Sequence, residues 1–156
     1  MKVRTDFVTN SSSSSFIVGF KDEASIEEQL RNELALKNYY DQVLRDIKEH
    51  RVTKAKTLFE FRDEVYYEIA NKLQQEYIRK MGGTLNFYRW LKDFAHQEEF
   101  DSAVNARTEE ACKEFEKTLK GYGYIACVEY DDHQDAELEN YIMPRLSCTI
   151  KRYSHH

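Results

Sequence analysis

The residues in this chain that could do chemistry sit mostly at its two ends. Asn10 is followed by five serines, Ser11, Ser12, Ser13, Ser14 and Ser15, and the chain closes on Ser154-His155-His156. A loop of serines presents hydroxyls and backbone N–H groups together, which suits a phosphate or a carboxylate. A serine beside a histidine is also the raw material of nucleophilic catalysis, with the imidazole as base. The nucleotide-binding signal is weak, because the Gly-rich pattern and the lysine of a P-loop are missing. Asn10, Ser11–Ser15, His155 and His156 are therefore the candidate ligand-binding residues, and no catalytic or metal-ligating set is assigned.

A second constellation is acidic: Asp131, Asp132, Asp135, Glu137 and Glu139, with His133 among them. An EF-hand loop would need a glycine where Ala136 stands and a glutamate at its twelfth position, so that reading fails. A solvated acidic turn leading into a helix explains the run more simply, since carboxylates are favoured at a helix start. No H-E-x-x-H, no spaced Cys/His set and no G-x-S-x-G occurs. No cofactor is expected. His50 and His96 fall in helical segments and read as surface residues.

The elements that would position these groups follow from the apolar pattern. Residues 16–20 are a continuous apolar run after the serines, the mark of a strand buried on both faces. Ser25-Ile26-Glu27-Glu28 is a capping-box pattern. It opens a helix to about residue 50, with room for one break. Thr57-Leu58-Phe59-Glu60 is a second such pattern, and Leu58, Phe61, Val65, Ile69, Leu73 and Tyr77 form the stripe of a second long helix. Gly82-Gly83 ends it. A third helix fits residues 86–95, the stretch 100–107 is ambiguous, and a fourth fits 108–120. Residues 124–130 read as a second buried strand. Residues 136–143 read as a short helix before Pro144, and 148–153 as a third strand at an edge.

The expected fold is α+β: a sheet of about three strands built from both chain ends, with a large helical block between the first and second strands, in one domain over residues 1–156. A chain of 156 residues that is 41% hydrophobic can bury its own core. One proline and five glycines leave too few turns for a many-stranded sandwich. Val18, Val65, Ile69, Phe115, Leu119 and Val128 are the expected core. In the pairs Tyr39-Tyr40, Tyr66-Tyr67 and Phe87-Tyr88, one ring turns inward and one toward the surface, where tyrosine suits partner binding.

The net charge of −5 disfavours a nucleic-acid partner. No apolar run reaches membrane-spanning length, so no membrane association is expected. Three cysteines without C-x-x-C spacing read as reduced thiols in a cytoplasmic protein.

The string from Arg4 to Asn10, then Ser11–Ser15 and Phe16, resembles the opening of a family of small uncharacterised microbial and phage proteins. They share an R-x-D-F-V-T-N-S-S-S-x-S-F block. Some close with S-H-H, as this chain does, and some carry L-E-H where this chain has Leu138-Glu139-Asn140. The resemblance implies a phage or mobile-element setting and no particular activity. It does imply that the two terminal signatures meet in space. That happens if the last strand runs antiparallel to the first. The expected function is a small non-catalytic binding or accessory protein, taking an unknown protein or a small anionic ligand. The alternatives are a hydrolase-type enzyme, using a loop serine with histidine or a His/carboxylate metal site, and an acidic inhibitor protein.

Overall fold

A computed structural model describes residues 13–34 and 37–154, with the backbone alone at Lys37. The chain divides into two compact units. One is built from the two end segments, up to Lys54 and from Leu119 onward, and the other is Ala55–Thr118.

The first unit is a four-stranded antiparallel sheet with helices on one face. Its elements are β1 (Ser13–Phe20), α1 (Ile26–Glu33), α2 (Lys37–Glu49), β2 (Arg51–Val52), β3 (Tyr124–Asp131) and β4 (Thr149–Ser154). The strand order is β2-β3-β1-β4. The α+β class and the sheet built from both chain ends are as expected. The strand count is corrected from three to four: β2 interrupts the helical block and pairs Arg51 with Ala126 and Val52 with Ile125. Two residues are too few to show a period of two, so this strand leaves no pattern to read. Both β3 and β4 run antiparallel to β1. Phe16 lies opposite Val128 on one side and Arg152 on the other.

Side chains alternate across a strand, so Phe16, Val18 and Phe20 share one face of β1. With Tyr124, Ala126, Val128 and Tyr130 of β3 they pack against Ile26 and Leu30 of α1 and Val43 and Ile47 of α2. Leu138, Met143 and Leu146, from the connector before β4, complete this core. The opposite face of β1 passes so close to its neighbours that Gly19 has no room for a side chain. A Cβ there would stand 2.7 Å from both Ile150 Cδ1 and Tyr122 Cδ1.

The first helix breaks at Leu34, whose φ and ψ of −95° and 79° leave the helical region. Its α-helical start at Ile26 falls where the capping-box pattern put it, but the cap is a different residue. Ser25 makes no side-chain cap for α1. Instead Asp22 caps a 3₁₀ turn over Glu23–Ser25, accepting from Ser25 N at 2.8 Å.

Cys148 is almost fully buried in this core. Burial, helped by the Glu33 carboxylate, pushes its thiol up to about 12. Burial also raises the Tyr130 phenol, whose O–H is held by Asp46. An acid with a raised folded pKa contributes stability that is intact below its unfolded pKa and lost as pH rises toward the folded one. Urea midpoints should therefore fall between about pH 8.5 and pH 11. A Cys148→Ala variant should fall less steeply, and identical slopes would contradict the burial of this thiol in the native state.

The second unit is helical: α3 (Lys54–Met81), α4 (Thr84–Leu91) and α5 (Phe94–Leu119). Phe61 of α3 stacks on Phe115 of α5, with ring centroids 3.7 Å apart. Farther along, Tyr77, Phe87, Trp90 and Phe100 form an aromatic cluster joining all three helices. Gly82 and Gly83, at φ 82° and 148°, supply the left-handed turn that stops α3. Residues 100–107, ambiguous in sequence, continue one helix through to Leu119. Val104 is buried, and so is Thr108, whose hydroxyl donates back to Val104 O at 2.8 Å. A buried threonine in place of an apolar residue is what masked the stripe. Of the expected core, Val18, Val65, Phe115, Leu119 and Val128 are buried, whereas Ile69 is only half-buried.

Candidate functional site

Ser13, Ser14 and Ser15 are not a loop. They are the first residues of β1, and all three are buried. Asn10, Ser11, Ser12, His155 and His156 lie outside the described residues. Buried hydroxyls need partners, and the strand alternation sends those of Ser14 and Ser15 to opposite faces. Ser14 Oγ donates to Glu139 Oε1 at 2.9 Å, and Ser15 Oγ to Glu129 Oε2 at 3.4 Å.

Glu139 is fully buried. An ionised carboxylate survives burial only with a counter-charge and hydrogen bonds; Ser14 gives a hydrogen bond, and the counter-charge comes from Arg152 of β4. Its Nη2 lies 3.9 Å from Glu139 Oε1, its Nε donates to Ser14 Oγ at 3.2 Å and its Nη2 to Asn140 Oδ1 at 3.2 Å. The guanidinium also sits 5.6 Å from the Phe16 ring centroid. Three distant segments thus meet around one carboxylate: the serine run, Glu139-Asn140 and the end of β4. Ser154 stands opposite Ser14 in the register, so the antiparallel closure expected from the terminal signatures is present.

Chemically this cluster is closed. Ser14 Oγ both gives a hydrogen bond to Glu139 and takes one from Arg152. The serine and the carboxylate are both 0% exposed, so a substrate has no route to either. Arg152 is neutralised by the carboxylate behind it, which weakens its pull on an outside anion. The arrangement is suited to holding strand ends together.

Glu139 and Arg152 were not singled out in the sequence. Glu139 stands at the end of an acidic run that reads as solvated. The short helix expected over residues 136–143 is present, with a π-helical turn over Leu138–Ile142, and Glu139 faces inward from that turn. The rest of the run acts locally. Asp131 Oδ1 accepts from His133 N and Gln134 N, at 2.9 and 2.8 Å. Asp135 accepts from Gln42 Nε2 at 3.0 Å, and Glu137 from Tyr39 O–H at 2.5 Å, a bond that raises the Tyr39 phenol. These bonds tie α2 to the connector before β4. No group of three or more His, Cys, Asp or Glu among the described residues is placed to hold a metal ion. A cleft of about 400 Å³ beside β2 is lined by Arg51, Val52, Thr53, Lys54, Gly123 and Ile125, two cations and a hydroxyl with no carboxylate or imidazole beside them.

An open surface occurs on the helical unit. In α4, Phe87 is buried and Trp90 and Leu91 are half-buried. Trp90 stacks on His96 at 4.5 Å, and His96 Nδ1 is 2.8 Å from Trp90 O. His96 is therefore a packing residue and not the surface histidine expected. Leu85, Tyr88, Arg89 and Lys92 are all exposed, at i, i+3, i+4 and i+7. Leu85 is 64% exposed and Tyr88 48%. Phe94, at the start of α5, is 70% exposed. The inward–outward split expected of Phe87-Tyr88 is observed. Tyr88 is held in place by Gln74 Nε2, which donates to its hydroxyl at 3.0 Å.

No helix among the described residues is long and apolar enough to cross a membrane. In comparisons with known proteins, the chain matches no family model, no curated protein and no solved structure.

Proposed function

We propose that this chain is a small non-catalytic binding or accessory protein that acts by contact with another protein, and that the helical unit carries the contact face. The observation behind this reading is the outward stripe of α4. Leu85 and Tyr88 are exposed one turn apart on a short helix whose other face is already occupied by Phe87 and Trp90. Exposed apolar residues scattered singly need no account, but a grouped set fixed on a rigid element is the usual form of an interaction surface. Tyrosine and arginine, both on this stripe, are the residue types that most often carry interface energy. The serine run is assigned a structural role, as the buried strand that joins the chain ends through Glu139 and Arg152. The resemblance to microbial and phage proteins is consistent with an accessory protein and enters only as context.

The test is photo-crosslinking in the native host, with p-benzoylphenylalanine in place of Phe94 and, as control, in place of Lys113, which is exposed on α5. A discrete adduct to a second protein from position 94, absent from position 113, is expected. No adduct at position 94, or the same adducts at both, would overturn the reading.

A further inference from the structure

The contact face is not only apolar. Arg79 and Lys80 occupy the last turn of α3, two glycines before α4, and Arg89 and Lys92 lie on the α4 stripe itself. All four are exposed, and none forms an ion pair among the described residues. Elsewhere on the same unit Arg62 pairs with Glu109, Arg107 with Glu76 at 3.5 Å and Lys117 with Glu114 at 3.4 Å, whereas Lys72 and Lys113 stand exposed and singly. Residues 78–97 carry these four cations against one carboxylate, Asp93, in a chain whose net charge is −5. Asp93 is itself engaged, accepting from Ala95 N at 3.0 Å. Arg89 and Lys92, at i+4 and i+7 from Leu85, give the Leu85–Tyr88 face of α4 a cationic rim, a local reversal of the protein's overall sign.

Resting on the contact reading above, we infer that the partner presents an acidic amphipathic helix: apolar side chains on one stripe, to cover Leu85 and Tyr88, flanked by Asp or Glu to meet Arg89 and Lys92. Charge complementarity selects this partner over a second copy through the same face, which would set like cations against each other. An anionic bilayer is a poorer match. Trp90, the residue best suited to a membrane interface, is turned onto His96. The face is also preorganised, because the Gln74 bond to Tyr88 and the aromatic cluster beneath α4 fix it before any partner arrives. Tyr88 therefore loses little side-chain freedom on binding.

The experiment uses the full chain and fluorescein-labelled helical peptides of about four turns, read by anisotropy. One peptide carries a leucine stripe flanked by glutamates, a second has the glutamates replaced by lysines, and a third has the first composition scrambled. Vesicles containing phosphatidylglycerol and a single-stranded RNA are parallel arms. The acidic amphipathic peptide should bind. Its affinity should fall roughly tenfold or more on raising salt from about 0.05 to 0.5 M, since rim charges are screened. An R89E/K92E variant should bind it at least about tenfold more weakly while melting at an unchanged temperature. Equal binding of the lysine peptide would overturn the acidic partner while leaving contact through α4 in place. Binding only to vesicles or RNA would replace the protein partner by that class. Failure of every peptide, together with no adduct at position 94, would overturn both readings.

Discussion

Glu139→Ala is expected to destabilise the protein by about 3 kcal/mol, because it empties a fully buried site, leaves the buried Ser14 hydroxyl without its acceptor and removes the counter-charge of the half-buried Arg152. The carboxylate is fully buried, takes a hydrogen bond from Ser14 and faces Arg152. Without it, the guanidinium keeps its charge but loses its counter-ion, and Ser14 loses its acceptor. Glu139→Gln keeps an acceptor for Ser14 and loses only the charge, so it should cost less. Ser14→Ala, which removes a single hydroxyl, should cost about 1–2 kcal/mol. Urea unfolding of the three variants checks this order. A Glu139→Ala loss under about 1 kcal/mol would mean that the cluster does not hold the strand ends.

Val65→Asp is expected to be nearly as severe, costing several kcal/mol, roughly, and leaving the chain unable to fold at 37 °C. Val65 is 5% exposed on α3, and a carboxylate placed there would have no cation built to receive it. Ile69→Asp is the informative companion. Ile69 is only half-buried, so its aspartate can turn toward water and should be clearly better tolerated. Expression, circular dichroism and thermal melts of the pair decide the matter. A soluble Val65→Asp chain with a cooperative melt near that of the parent would contradict the inward face assigned to α3.

The parts of this fold legible from sequence are those where one physical preference dominates. The unbroken apolar run of residues 16–20 could only be a strand buried on both sides. Gly82-Gly83 could only stop a helix. The antiparallel pairing of β1 and β4 was inferred from two terminal signatures and not from periodicity. What stayed hidden is what tertiary context decides. Serine favours loops on its own, yet Ser13–Ser15 belong to a strand, because Glu139 and Glu129 satisfy the hydroxyls of Ser14 and Ser15. Glu139 belongs to a run that looks solvated, and only its π-helical turn and Arg152, thirteen positions on, bring it indoors. The α4 stripe was half legible. The Phe87-Tyr88 pair gave the split between faces, but the cationic rim emerges only once Arg89 and Lys92 are seen without partners while Arg62 and Arg107 have theirs.

The central claim separates two roles: the serine strand builds the fold, and the α4 face makes the contact. The most direct measurement introduces Ser14→Ala and Leu85→Glu one at a time into the chain carrying the photo-crosslinker at position 94. Urea midpoint and adduct yield are read on both variants. Ser14→Ala should lower the midpoint and leave the adduct intact. Leu85→Glu, at a residue 64% exposed, should leave the unfolding free energy read from the urea curve within about 0.5 kcal/mol of the parent and abolish the adduct. The reverse pattern, with Ser14→Ala neutral for stability but losing the partner and Leu85→Glu keeping it, would place the contact at the serine strand and contradict the account.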